Sequence, residues 1–416
     1  MRLLVVSQYF WPEYFRVNSL VGELVKRGHE VTVLTGLPNY PGGTVFAEYR
    51  ADPGGFLSYD GAAIVRVPLF SRGRGRVSLI LNYVSFAVSA SLIGGWRLRG
   101  RKFDAIFVHE PSPATVGIPA VLLRAIKKAP LAFWVLDAWP ETLQAIGVVR
   151  SRGLLRAIGS LVSFIYNRCD LILAQSKTMV PQIARHCNGS KRVVYFPSWA
   201  ESIFSPANEE AAAEVPVKHG SFSVMFAGNI GEAQDFPAVL AAAEILKAHT
   251  QIRWLVVGDG RMAQWVGAEI LRRGLQDCVL MLGRHPVERM PAFYRHADAL
   301  LVSLKDEPIF AMTIPGKLQS YLAAGIPVVA MLNGEGAEVV ERSRSGLTCR
   351  AGNAEGLAAA VLELASWSEE RRAQLGRNAL AVSASEFDRD RLLTQLETWL
   401  EELRVQARGT TGRLSN

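Results

Sequence analysis

Short, almost wholly apolar runs alternate with amphipathic stretches along nearly the full chain, and this alternation most constrains the fold. Runs at 2–7 (RLLVVS), 30–35 (EVTVLT), 63–67, 104–108 (DAIFV), 131–135 (LAFWV), 170–174 and 192–196 read as strands, with helical patterns such as 15–27 and 151–168 between them. Strands this apolar are buried on both faces, as in a parallel sheet covered by helices. The pattern pauses over 196–220, which holds Pro197, Pro206 and Pro216 and weak periodicity, and reads as an interdomain linker. A second series follows, with strands at 222–227, 252–257, 278–282, 298–303 and 326–330 and helices near 236–249, 286–296, 316–324 and 355–366. The fold class expected is α/β, as two doubly wound Rossmann-like domains facing a central cleft, with ligands beyond the carboxyl ends of the strands. The first domain covers 1–200 and the second 201–384. A helix at 385–405, capped by Ser383 or Ser385, is assigned to the first domain, and 406–416 reads as a disordered tail.

Charge divides the chain. Residues 1–200 hold 24 Lys/Arg against 11 Asp/Glu, whereas 201–416 hold 22 against 27, so the first half points to an anionic partner. Nucleic acid is disfavoured, because Arg72-Gly73-Arg74-Gly75-Arg76 is not interleaved with aromatic residues and no nucleic-acid motif is present. Cys169, Cys187, Cys278 and Cys349 lie far apart, which excludes a disulfide framework and fits a reducing cytosol. No metal site is expected. Asp388-Arg389-Asp390 falls in the first turn of a helix, where acids complement the helix dipole.

The chemistry-bearing residues sit at strand ends. Gly228 and Gly231 follow the strand 222–227, and Gly258 follows 252–257, where small residues let backbone N–H groups approach phosphate oxygens. A full dinucleotide fingerprint is absent, since Ala263 stands where its last glycine belongs, which disfavours a nicotinamide dehydrogenase. Lys317 falls in the first turn of the helix at 316–324, against the helix dipole, and a bound diphosphate at that N-terminus would offset it. His109 and Asp137 follow strands of the first domain. There a His can hydrogen-bond a sugar hydroxyl or share a proton, and a carboxylate can act as general base toward an acceptor hydroxyl. Trp139 and Glu141 offer a stacking face and a further acceptor.

The segments SQYFWPEYFRVNSLVGELVKRGHEVTVLTGLPNYP, VHEPSP, WVLDAWPETL, AGNIGEAQ, PGKLQSYLAAGIPVVA and GEGAEVVERSRSGL together resemble family 4 glycosyltransferases of the two-lobed GT-B fold, over nearly the whole chain. The opening and WPE segments are most similar to transferases of bacterial surface-polysaccharide assembly, of the N-acetyl-fucosamine type. The resemblance implies retention of configuration, a nucleoside-diphosphate sugar donor (a UDP-linked N-acetyl-amino sugar), a lipid-diphosphate-linked saccharide as acceptor, and neither metal nor cofactor. Where the family has Gly-Gly after the first strand, this chain has Phe15-Arg16. Where the family has Arg and Lys on the diphosphate, it has Asn229 and Gln234. The family's paired acids fall on Met312 and Ser320. Arg16, Gly228, Asn229, Gly231, Gln234, Gly258, Arg261, Arg284, Ser320 and Glu338 are thus the donor-side candidates, with His109, Asp137 and Lys317 catalytic and Arg344 a further cation. A nucleotide-sugar epimerase of the same shape is the alternative.

Residues 77–96, VSLILNYVSFAVSASLIGGW, are uncharged and long enough to span a bilayer. Ser78, Asn82, Ser85 and Ser89 share one helical face, and the segment joins two strands of one sheet, so a spanning role is disfavoured. Basic residues on both flanks predict docking of 72–102 on an anionic leaflet, and a peripheral cytoplasmic location on the inner face of the cytoplasmic membrane.

Overall fold

The computed structural model describes residues 1–413 except 74, 146, 190 and 205–209, and divides into two units, Met1–Phe196 with Asp390–Asn416, and Pro197–Arg389. Tail residues 414–416 lie outside the described residues. The first unit holds β1 (Arg2–Val6), β2 (Glu30–Gly36), β3 (Ser58–Tyr59), β4 (Ala62–Val67), β5 (Ala105–Glu110), β6 (Leu131–Val135), β7 (Leu171–Ala174) and β8 (Val193–Tyr195), in the order β3-β4-β2-β1-β5-β6-β7-β8. All pairings are parallel except β3 with β4. The second holds β9 (Phe222–Ala227), β10 (Ile252–Val257), β11 (Val279–Gly283), β12 (Ala299–Ser303), β13 (Val328–Met331) and β14 (Gly346–Cys349), all parallel, in the order β11-β10-β9-β12-β13-β14. Leu3, Leu4, Val5 and Val6 are fully buried, as the unbroken apolarity of such strands requires.

Both sheets reverse their winding once, between β1 and β5 and between β9 and β12. Such switch points leave a crevice at the carboxyl ends of the two strands, because the helices that follow them leave on opposite faces. Two of the sites' key segments therefore have positions fixed by topology. His109 is the penultimate residue of β5, and the helix Gly316–Ala324 follows β12.

Three expectations need correction. First, the region 196–220 is not a free linker. Ala212 and Val215 are buried, the Ala212 N–H donates to Ala292 O (3.1 Å), and Arg253 donates to Pro216 O (2.5 Å), so much of it is packed onto the second unit. Second, the helix expected at 385–405 starts later and runs further, as Arg389–Arg413, and a separate helix, Glu369–Glu386, precedes it. Ser383 and Ser385 lie inside Glu369–Glu386 and cap neither helix, and residues 406–413 are helical rather than a disordered tail. Third, β3, β14 and the helix Glu369–Glu386 have no counterpart among the expected elements.

The last helix belongs to the first unit. Its Leu393, Leu396 and Leu400 are fully buried, and the Trp399 ring meets Phe196 edge-on at 5.9 Å. At its outer margin Glu397 accepts from Arg27 (2.8 Å) and faces His29 (2.6 Å), while Asp390 pairs with Arg27 (3.3 Å). Arg27 thus ties up one acid of the Asp388–Asp390 pair. Leu396→Ala should destabilise the first unit by about 2–5 kcal/mol through the lost transfer energy and the cavity left behind; urea unfolding measures it.

Candidate active site

Of the donor-side candidates, Gly228, Asn229, Gly231, Gln234 and Gly258 gather around the carboxyl end of β9, whereas Arg16 starts the helix Arg16–Lys26 of the first unit, near His109. Gly228 has φ +133° and Gly258 φ +144°, values that L side chains rarely adopt. A Cβ on Gly258 would sit 1.9 Å from the Gly228 carbonyl oxygen, so the turns after β9 and β10 touch backbone to backbone. A Cβ on Gly228 would meet Lys317 Cε at 2.6 Å. The glycines therefore leave the space that the Lys317 stem fills.

Tyr321 sets the position of that lysine. Its hydroxyl donates to Ala227 O (3.1 Å) and accepts from the Ala227 N–H (2.9 Å), and its ring is fully buried. Four residues earlier and one turn back on the same helix, Lys317 lies over β9. Its Nζ is 3.6 Å from the Phe226 ring centroid and 3.5 Å from Asn229 O. Burial pushes the amine down to about 7, and no carboxylate offsets the effect.

Asn229 and Gln234 brace this turn. Gln234 Oε1 accepts from the Gly231 N–H (3.0 Å), and the Asn229 side chain lies under Gly260. Ser320 is buried on the helix, 3.4 Å from Gly316 O. Arg261 and Arg284, which follow β10 and β11, are exposed and have no acidic partner among the described residues. Glu338 is exposed, whereas Glu335, three residues earlier in the first turn of Glu335–Ser343, is buried. The candidate Glu338 is thus the exposed acid of this Gly-rich segment, and helical phase separates it from the buried Glu335. Arg344 is not part of the cluster. It caps the far end of Glu335–Ser343, away from the carboxyl end of β13.

In the first unit His109 and Glu110 are the last residues of β5 rather than part of the loop after it. Ser7 Oγ donates to Tyr9 O (2.8 Å) and lies 3.3 Å from His109 Nδ1. The hydroxyl has one proton, so Nδ1–H is the donor to Ser7 and Nε2 is left as an acceptor. Nε2 is buried without a partner among the described residues. Burial, helped by the charge of Arg16 at the start of the helix Arg16–Lys26, pushes His109 down to about 3. At neutral pH the imidazole is therefore uncharged with Nε2 free to accept, which favours the first role expected for it over the shuttling of a proton.

Asp137 Oδ2 accepts from Trp139 Nε1 (3.2 Å), and its N–H donates to Glu110 Oε2 (3.4 Å). Burial raises both carboxyls; the charge of Asp137 adds to the rise at Glu110, while side-chain donors Thr142, Trp139 and Ser112 hold Asp137 down. Trp139 is buried with its ring 6.0 Å from Tyr83, and acts as a structural partner of Asp137 rather than an open stacking face. Glu141 Oε1 accepts from Gln182 (2.7 Å) and faces His186 (3.3 Å), while its Oε2 is buried without a partner among the described residues.

Two residues of this end escaped the sequence reading. Glu13 is buried and accepts backbone N–H bonds from Asn39 and Tyr40 (2.7 Å each) and Phe10 (3.1 Å), joining the loops after β1 and β2. Arg72 lies 5.1 Å over the Tyr40 ring and 3.4 Å from the Tyr9 hydroxyl. The WPE motif at Glu13 was the available signal, and its work is structural.

The description "Glycosyl transferase 4-like domain" matches residues 15–199, and "Glycosyl transferases group 1" matches 221–366, between them most of the chain. WbjE of Pseudomonas aeruginosa, named a glycosyltransferase, is 24% identical over 77% of this chain and 78% of its own. WcaI of Escherichia coli K12, named for colanic acid biosynthesis, is 25% identical over 78% and 82%. The Anabaena protein HepE, crystallised with UDP and glucose, superposes with a TM-score of 0.68 over 96% of this chain and 99% of its own, at 14% identity, a likeness of fold. The fold is GT-B, two Rossmann-like α/β domains. The chain is a glycosyltransferase of the family 4 type.

Tyr321→Phe leaves the Ala227 N–H and carbonyl without their hydroxyl partner. It should cost about 1–3 kcal/mol, read from thermal unfolding, and should also free the Lys317 helix to shift.

Proposed function

We propose that this glycosyltransferase moves a sugar, with retention, from a UDP-linked N-acetyl-amino sugar to a lipid-diphosphate-linked saccharide during cell-surface polysaccharide synthesis, on the inner face of the cytoplasmic membrane. The observation that carries the donor side is the Lys317 amine, desolvated against Phe226 and Gly228 beside the glycine turns after β9 and β10. HepE binding UDP supports the base, and the name of WcaI supports polysaccharide synthesis.

On this reading the leaving diphosphate gathers charge as the glycosidic bond to the donor breaks, and Lys317, with Arg261 and Arg284 at neighbouring strand ends, stabilises it. Asn229 and Gln234 add no charge there, so the load on Lys317 is greater. In the first unit Asp137 takes the proton of the attacking hydroxyl, while His109 Nε2 accepts from a sugar hydroxyl.

Lys317→Ala should lower turnover by about 100-fold or more. The pH dependence has a definite sign. The free amine has a pKa of about 7, and a bound diphosphate raises it, so binding takes up a proton. UDP affinity should therefore be greatest below pH 7 and fall above it by at most about tenfold per pH unit, while Lys317→Met should be flat; calorimetric titration separates the two. A wild-type affinity that is flat from pH 7 to 9 (roughly the range of the expected change) contradicts the role of Lys317. Asp137→Asn, nearly isosteric, should slow transfer by about 100-fold or more yet leave UDP affinity within about threefold. Equal loss of both contradicts the acceptor-side assignment.

A further inference from the structure

The segment expected to dock on a leaflet folds as a nearly continuous helix, Arg76–Ser89 running through a π-helical turn at Ala90–Gly94 into Gly95–Arg97. Its amphipathicity is inverted relative to an ordinary surface helix. The polar stripe faces inward. Ser78 Oγ accepts from the Gly73 N–H (2.6 Å), Asn82 donates to Phe70 O (2.6 Å) and accepts from Gln8 (2.7 Å), and Ser85 accepts from the Phe70 N–H (2.9 Å). The apolar side faces out. Val77, Ile80, Val84, Val88, Leu92 and Trp96 are 72, 57, 49, 52, 68 and 62% exposed, at steps of three and four that keep them in one row.

A basic cavity of about 620 Å³ lies at the foot of this row. Gly95 and Arg99 from the helix end line it, with Arg2 at the start of β1, the 101–104 segment before β5, Lys127 and Lys128 before β6, and Arg404 and Arg408 of the last helix. Eight of its side chains are basic and one, Asp104, is acidic. Asp104 is already engaged by the Arg2 N–H (2.8 Å) and by Arg408 (3.0 Å). Arg99, Arg101, Lys102 and Lys128 have no acidic partner among the described residues. The nearby charge of Arg101 adds to burial in lowering the Lys127 ammonium. The cavity opens at the amino ends of the strands, opposite His109 and Asp137, so the donor and acceptor groups described above do not account for it. Ile126, 55% exposed, lines its edge beside the apolar row.

We propose that the outer row of this helix enters the interface of an anionic bilayer while the cavity at its foot binds an anionic lipid headgroup. An apolar strip ending in a concentration of unpaired cations is complementary to acyl chains beneath phosphate groups, and to neither alone. The same helix reaches the acceptor side at its other end. Asn82 holds Gln8 and Tyr9, and Tyr83 packs by Trp139, the partner of Asp137. A bilayer along the helix would thus present a lipid-linked acceptor toward Asp137. Only this last point rests on the function proposed above.

The full-length protein is sedimented with vesicles of phosphatidylcholine alone and with added phosphatidylglycerol, while UDP affinity is measured in parallel. Wild type should prefer the anionic vesicles. Arg101→Gln/Lys102→Gln/Lys128→Gln should lose roughly 100-fold on anionic vesicles, at about fivefold per cation. It should retain the weaker binding to neutral ones. Val88→Asp/Leu92→Asp should lose both, with circular dichroism and UDP affinity unchanged, since all these residues are exposed. A triple variant that binds anionic vesicles like wild type overturns the headgroup site. So does displacement of wild type by millimolar inorganic phosphate, which would assign the cavity to free phosphate. A wild type that fails to bind either vesicle overturns the docking surface. Failure to bind UDP would instead strike the donor reading and leave the vesicle result standing.

Discussion

The donor side hangs on a single hydroxyl. Tyr321 both donates to and accepts from one residue, Ala227, at the end of β9, so the helix Gly316–Ala324 is held to the sheet in position and in rotation. From that clamp the rest follows. Lys317 falls one turn away, over Phe226 and into the space left by Gly228, and the turn after β10 has room to press against the turn after β9. A lysine held this way is desolvated before any anion arrives. That raises the value of a charge partner at this spot.

The two ends of the molecule's chemistry are prepared differently. On the second unit a cation is kept ready to take a charge. On the first, burial works against charge: it lowers His109 and raises Glu110 and Asp137, and the side-chain donors on Asp137 hold that carboxyl down relative to its neighbour. Ser7 decides which nitrogen of His109 faces outward as acceptor, so a residue of β1 selects the tautomer of a residue of β5.

Much of this was legible in the sequence. Buried parallel strands show as unbroken apolar runs, and every long strand of both sheets was found that way, as was the first-turn Lys317. Misses have physical causes. β14, GLTC, is half-buried at a sheet edge and carries no apolar run, and β3 is two residues long. Glu335 and Glu338 differ only in helical phase, and a Gly-rich loop gives no phase to read. That Glu141 Oε1 is taken could not be read, because its partners, Gln182 and His186, are over 40 residues away. The basic cavity draws on Arg2, Lys127, Lys128 and Arg408, which no local pattern connects. The polar stripe on residues 77–96 was visible, but that it faces inward follows only from its bonds to Gly73, Phe70 and Gln8.

The last helix has a consequence for synthesis. The second unit is one unbroken segment, Pro197–Arg389, whereas the first needs residues from both ends of the chain. Chains emerge from the ribosome amino end first, and domains fold as units when their residues are out. Here the order of completion is reversed. The second unit can close while the first still waits for Leu393, Leu396 and Leu400, leaving the Phe196 face and the Arg27–His29 pair uncovered until the final helix emerges. A nascent chain arrested before residue 390 should therefore be a chaperone client through its older half, not its newer one.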